Sequence, residues 1–242
     1  MYKEKTVIAY CKDGVTKSGE CTYWSNGKLK TEIIYREDGV KKLLEATFLK
    51  TGELNTEIYY YDDGVTKREE ETYWENGKLK TAIEYYKNGV RKDEWTYWEN
   101  GNVKRHVGYC ENGKVSCEFI FWERWNRRRR YIIYYEDGRT KKLETDYLEN
   151  GKVREEITYW DDGNVKRHAV YYEDGVTKHY EVTNWENGKL KTMATYRDDG
   201  TTYSETTYYW KIGKEKTRIL YYEDGVTKRS ETNYLENGEM ET

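Results

Sequence analysis

The sequence predicts an all-β fold, an elongated, twisted, single-layer antiparallel meander of about twenty short strands built from two-strand repeats of about 25 residues. Three observations predict it. Glycines recur at 14, 27, 39, 52, 64, 77, 89, 101 and 113, then at 138, 151, 163, 175, 188, 200, 213, 225 and 238, in steps of 12 or 13. Most follow Asn or Asp, which tolerate positive φ in a hairpin turn; Gly52 and Gly213 instead follow Thr51 and Ile212. Between turns the side chains alternate, as Leu79, Thr81, Ile83 and Tyr85 do against Lys80, Ala82, Glu84 and Tyr86, and helical spacing never lasts two turns.

The stretch from Thr72 to Gly89 is the template: an aromatic pair, Asn-Gly, a polar and β-branched run, a second aromatic pair and another Asn-Gly. A consistent face through each repeat requires one even and one odd loop. We assign two-residue loops to Asp-Gly turns such as Asp63-Gly64, and three-residue loops with a bulge to Asn-Gly turns such as Asn76-Gly77. That choice gathers Val65, Tyr73, Leu79, Ile83 and Tyr85 on one face, together with Val40, Leu44, Ala46, Phe48, Leu143 and Tyr147. The other face then carries a tryptophan row, Trp24, Trp74, Trp98, Trp160, Trp185 and Trp210, with Trp122 near the same register. Tyr61, Tyr86, Tyr135, Tyr172 and Tyr222 fill the equivalent place in alternate strands. Aromatic ladders of this kind stabilise a thin sheet without any ligand, and exposed on a concave surface the same row becomes a protein-binding patch.

Composition agrees with a thin sheet. Charged residues make up 36% and apolar residues 36%, with 27 Tyr and nine Trp beside three Phe, which is too polar for a thick core and too aromatic for disorder. No Pro-rich or Ser-rich linker divides the 242 residues, so residues 1–242 read as one repeat domain of about 90 Å at ordinary strand spacing. The ends need charged guards, for which Lys3, Glu4, Lys5, Glu239 and Glu241 are the candidates. The Asp-Gly and Asn-Gly turns exchange edges between Gly163 and Gly175. A net charge of −3 argues against a dedicated nucleic-acid or membrane binder. With no signal-like or membrane-length apolar run, a cytoplasmic location is expected.

One segment breaks the pattern. Between Phe121 and Tyr135 a turn loses its glycine, gains a residue and puts Trp125 at its tip, among Trp122, Arg124, Asn126, Arg127, Arg128, Arg129 and Arg130. Repeat arrays place function where a unit departs from its neighbours, and Trp and Arg dominate binding hot spots. The segment is the candidate partner-binding site, for an acidic protein surface or for nucleic-acid phosphate with Trp125 stacked on a base. The alternative is a drifted unit whose arginines pair with neighbouring glutamates.

Chemistry is not expected. His106 and His168 occupy equivalent repeat positions about five strands apart, too far to share a metal, and no CxxC, GxSxG or phosphate-binding glycine loop occurs. The four cysteines are expected as free thiols, since Cys110 and Cys117 flank a turn as diagonal neighbours. The carboxylates alternate with lysine as solvated ladders. No catalytic residue, metal or cofactor is assigned.

The recurring TYWENGKLKT, read from Thr72 to Thr81 and again around Thr183 to Thr192, resembles MORN-type repeats, specifically the bacterial YwqK-type antitoxin variant. The resemblance implies a non-enzymatic protein-binding module, an antitoxin-like or inhibitory protein that sterically blocks a larger effector such as a toxin or nuclease. Its alternatives are RNA or DNA binding through residues 124–130, and a membrane-associated MORN scaffold.

Overall fold

The computed structural model describes residues 5–241, so the proposed guards Lys3 and Glu4 lie outside the described residues. Contacts divide the chain into two compact units, one comprising residues up to Val115 with Glu123–Asn126, the other Ser116–Trp122 and Arg127 onward. The first unit contains β1 (Lys5–Tyr10), β2 (Lys17–Tyr23), β3 (Leu29–Tyr35), β4 (Lys42–Phe48), β5 (Leu54–Tyr60), β6 (Lys67–Tyr73), β7 (Leu79–Tyr85), β8 (Arg91–Tyr97) and β9 (Val103–Tyr109). The second contains β10 (Val115–Phe121) from Ser116 onward, β11 (Arg128–Tyr134), β12 (Lys141–Tyr147), β13 (Val153–Tyr159), β14 (Val165–Tyr171), β15 (Lys178–Asn184), β16 (Leu190–Tyr196), β17 (Thr202–Tyr208), β18 (Glu215–Tyr221) and β19 (Lys228–Asn233). Among the described residues there is no helix, and within each unit every strand pairs antiparallel with the next in chain order, a meander.

The turns come in two lengths, opposite to the assignment made from sequence. The Asn76-Gly77 turn closes from Trp74 N–H to Lys78 O, whereas the Asp63-Gly64 turn closes from Tyr61 N–H to Thr66 O, one residue longer; the Asp162-Gly163 and Asp199-Gly200 turns keep the shorter length, from Trp160 to Asn164 and from Arg197 to Thr201. In the Asp63-Gly64 turn the side chain serves the added residue. Asp63 Oδ1 accepts from the amides of Val65 (2.9 Å) and Thr66 (2.8 Å), and its second oxygen accepts from the Thr66 hydroxyl, so the extra residue is fully served. The Thr66 hydroxyl and these amides hold the Asp63 carboxyl below the usual range. Asn76 has one acceptor, which takes only the Lys78 amide at 3.0 Å; its own N–H groups reach across to Glu99 O at 2.9 Å.

Both turn types carry a bulge. In the β6–β7 hairpin Tyr73 pairs with Leu79 and Thr72 with Thr81, leaving Lys80 without a cross-strand partner. In β5–β6 Tyr60 pairs with Lys67 and Tyr59 with Glu69, so Arg68 is skipped in the same way. A bulged residue moves the side chains on its two sides to opposite faces. Tyr73 and Leu79 therefore share a face with Glu69, Glu71, Ala82 and Glu84, while Ile83 and Tyr85 lie on the other with Glu70, Thr72 and Thr81. The single apolar face expected from sequence is thus split between two mixed faces. Val65 and Val40 lie on neither, being 80% and 78% exposed within turns.

With two wet faces, little is buried. Among the described residues the buried apolar side chains are Ala46, Tyr60, Val107, Ile132 and Ala169. Cohesion comes from repeated polar pairs. Threonine hydroxyls meet across strands at 2.6 Å in Thr47–Thr56 and Thr72–Thr81. A glutamate in mid-strand is held between a lysine and the tyrosine ending the next strand: Glu70 by Lys67 (2.9 Å) and Tyr85 (2.7 Å), Glu45 by Lys42 (2.6 Å) and Tyr60 (2.9 Å), Glu144 by Lys141 (2.7 Å) and Tyr159 (3.0 Å). Cross-strand pairs contribute roughly 0.2–1 kcal/mol each, so stability accumulates by repetition.

These tyrosines make stability sensitive to alkali. Burial, then the hydrogen bond to Glu70, pushes the Tyr85 phenol up to about 12, and the same causes raise Tyr60 and Tyr159 further. A raised phenol contributes stability that is complete below its ordinary value of 10.0 and is lost as pH climbs through its folded value. We expect sheet circular dichroism to hold to about pH 10 and to collapse as tyrosinate absorbance rises above it. Ordinary titration near pH 10 with the sheet intact would refute the assignment.

Candidate partner-binding site

In a meander successive turns alternate edges, so the tryptophans sit along edges rather than on a face. Trp24, Trp74 and Trp98 each open a turn on one edge of the first unit. The bulged lysine of the following strand lies over each ring, Lys30 at 4.9 Å, Lys80 at 4.8 Å and Lys104 at 4.4 Å. In the second unit Trp122 opens the β10–β11 turn, and Trp160 opens the β13–β14 turn three turns later, on the opposite edge. Trp160 and Trp185 share that edge under Lys166 and Lys191. Trp210 is the second residue of its turn, 45% exposed, with its ring edge-on to Trp185 at 4.9 Å. The row is therefore interrupted, and lysines cover most of its rings.

Tyrosines that open other turns tie neighbouring turns together, as Tyr61 donates to Tyr85 O at 2.6 Å and Tyr86 to Tyr109 O at 3.0 Å, whereas Tyr222 stands 54% exposed. Trp24 Nε1 makes the same link to Phe48 O at 3.1 Å, but the buried indole N–H groups of Trp74, Trp98, Trp122, Trp160 and Trp185 have no hydrogen-bond partner. A phenol carries its donor at the far end of the ring and an indole does not, so these tryptophans are held by stacking. The bulged lysines are the residues the sequence reading missed; their signal is the recurrence of Trp-Glu-Asn-Gly-Lys-Leu-Lys, with the second lysine six residues after the ring.

The irregular turn closes from Trp122 N–H to Arg127 O at 2.8 Å, the longer turn length without a glycine. Asn126 takes the glycine's role at φ 49°, the one non-glycine residue at positive φ among those described, and its Oδ1 accepts from the Val103 amide at 3.2 Å. Trp125 stands 41% exposed, with the Arg124 guanidinium 5.5 Å from its ring centre. Both belong to the first unit.

In the second unit the arginines are individually engaged. Arg127 donates to Glu149 O at 3.3 Å, Arg128 lies over Phe119 at 4.9 Å and Arg129 over Trp122 at 5.0 Å. Arg130 grips Asp146 with two bonds, at 2.6 and 2.9 Å, and reaches Glu144 at 3.2 Å. The bulge at Arg129 sets Arg128 and Arg130 on opposite faces, so the run does not form one basic patch.

Two histidines are paired with carboxylates. His106 stacks on Trp95 at 3.7 Å with Nε2 2.6 Å from Asp93, and His168 Nε2 lies 2.5 Å from Glu155. Cys11, Cys21, Cys110 and Cys117 are free thiols. Among the described residues no three His, Cys, Asp or Glu side chains come together in a way that could hold a metal ion.

The fold is a thin antiparallel repeat sheet interrupted by one irregular, tryptophan-tipped turn. Residues 19–37, 69–88 and 141–161 match the family model described as MORN repeat variant. Each match spans an Asn-Gly turn, Asn26-Gly27, Asn76-Gly77 or Asn150-Gly151, and these matches support a MORN-type repeat protein. No curated protein matches the chain. Among solved structures, the Photorhabdus luminescens Tc holotoxin pore is similar at 11% identity over 97% of this chain and 14% of that chain, with a TM-score of 0.25. The TcdB2-TccC3-TEV crystal structure has the same identity, coverage of 97% and 15%, and a TM-score of 0.25. A porin-like protein from Bacteroides uniformis is 12% identical over 89% of this chain and 93% of that one, with a TM-score of 0.24. The chain thus spans a small fraction of the toxin-complex chains, and likenesses this low carry no argument about function.

Proposed function

We propose that the chain is a non-enzymatic protein-binding repeat module, an inhibitor of the antitoxin kind that occupies the working surface of a larger effector in the cytoplasm. The observation that carries the reading is Trp125, a flat exposed ring backed by Arg124 at the glycine-free turn of an otherwise regular scaffold. A ring already held by a neighbouring cation loses little rotamer freedom on docking, which is why Trp and Arg recur at hot spots. Four free thiols fit a reducing compartment.

Trp125→Ala with Arg124→Glu is expected to weaken capture of the partner from host extract by about thirtyfold, the loss of one hot spot of about 2 kcal/mol, at an unchanged melting temperature. Capture that survives both changes removes the site. A nucleic-acid ligand would instead draw on Arg127–Arg130. The carboxylates on Arg130 weigh against that, and binding would then weaken steeply with salt.

A further inference from the structure

The repeat provides its own standard for what belongs at each place, and one turn of the first unit departs from it. Along the edge bearing Trp24, Trp74 and Trp98, the turn between β4 and β5 opens with Leu49, and the bulged residue after it is Asn55 rather than lysine. Both members of the ring-and-cation pair are missing together. Leucine has no donor, whereas Trp24 gives its indole N–H to Phe48 O. Asn55 cannot extend over a ring, and its amide turns back to Thr47 Oγ1 at 3.3 Å.

The omission leaves a hollow of about 490 Å³, within the usual range for ligand sites, bounded by Leu49, Asn55, Trp74, Glu75, Lys80 and Glu99. Its walls are a leucine and an indole. Lys80 already covers Trp74 at 4.8 Å, and the exposed carboxylates of Glu75 and Glu99 make no salt bridge among the described residues. A mixed slot with a leucine and an indole as its apolar walls and two such acids at its rim complements a ring that carries a positive charge close by, and repels a ring with a carboxylate.

We propose that this hollow receives an aromatic side chain with an adjacent lysine or arginine from a protein partner, replacing in trans the pair that the repeat omits in cis. The ring would lie between Leu49 and Trp74, and the cation at Glu75 and Glu99. The site is independent of the Trp125 turn, so either can fail without the other.

The probe is a capped Gly-Trp-Lys-Gly peptide, with Gly-Trp-Glu-Gly and Gly-Ala-Lys-Gly as controls, followed by ligand-observed NMR on the full chain. The Trp-Lys peptide is expected to bind and both controls to bind at least roughly tenfold more weakly. Leu49→Trp with Asn55→Lys should fill the hollow, raise the melting temperature and abolish binding. Glu75→Lys with Glu99→Lys, two exposed changes that leave the walls intact, should transfer the preference to the Trp-Glu peptide, and this arm decides if the filled variant does not fold. No binding of the Trp-Lys peptide overturns the proposal, as does equal binding of the Trp-Glu peptide or binding that persists in a folded, filled variant.

Discussion

Gly64→Ala is expected to lose about 4 kcal/mol of stability and Gly77→Ala only about 1–2, although the two glycines occupy neighbouring turns of one unit at almost the same φ. Gly64 lies at φ +73° and Gly77 at +79°, so left-handed strain alone costs the two substitutions alike. Their surroundings differ. A methyl at Gly64 would stand 2.5 Å from Lys41 Cβ, 2.6 Å from its Cα and 2.8 Å from the Lys42 amide nitrogen, whereas at Gly77 nothing lies within 4 Å. The longer Asp-Gly turn leans on the previous turn of its edge, and Gly175 against Lys152 and Gly225 against Thr201 show the same approach. Backbone cannot rotate away as a side chain can, so the sheet must separate locally. Urea unfolding of both variants tests this; equal losses would mean that the close approach stores no energy.

That contrast also marks how far the sequence could be read. Turns at each Asn-Gly and Asp-Gly, and strands of alternating side chains between them, were legible because both are local: a glycine at positive φ and a period of two need no knowledge of neighbours. The loop lengths were not. They rest on the whole turn segment rather than on Asp against Asn: Asp63 with Thr66 three residues on serves an added residue, while Asp162, followed by Gly163 and Asn164, closes a turn as short as that of Asn76. The signal was present in Asp-Gly-Val-Thr against Asn-Gly-Lys, but face counting alone prefers the opposite order. The bulge in the hairpins within each unit was hidden for a related reason, since its residue, Lys80 for instance, covers Trp74 rather than pairing. At the irregular turn the exposure of Trp125 follows the sequence reading. The dispersal of Arg128, Arg129 and Arg130 onto Phe119, Trp122 and Asp146 depends on that bulge and on residues up to 16 positions away.

Asp146→Ala should cost about 3 kcal/mol at neutral pH, the lower end for breaking a buried ion pair because its arginines keep partial access to water. Asp146 is 8% exposed and receives Arg130 Nε at 2.6 Å, Arg130 Nη2 at 2.9 Å and Arg154 Nη2 at 3.0 Å. Removing it leaves two guanidinium groups with one carboxylate fewer, while relieving Glu155 of the like charge directly across from it. Burial alone would raise the Asp146 carboxyl, but the Arg130 hydrogen bonds and the charges of Arg130 and Arg154 outweigh it and hold the group below the ordinary value of 3.8. A lowered carboxyl contributes stability that is present above that ordinary value and disappears as pH falls through its folded value. The gap between wild type and Asp146→Ala should therefore narrow as urea unfolding is repeated in increasingly acid buffer below pH 3.8. Arg130→Met with Asp146→Leu should recover most of the loss at neutral pH, because two apolar groups of similar size replace the pair while Arg154 keeps Glu155 at 3.8 Å and Glu144 keeps Lys141 at 2.7 Å. A gap that stays constant into acid would show that Asp146 acts through packing and that the ion pair adds nothing.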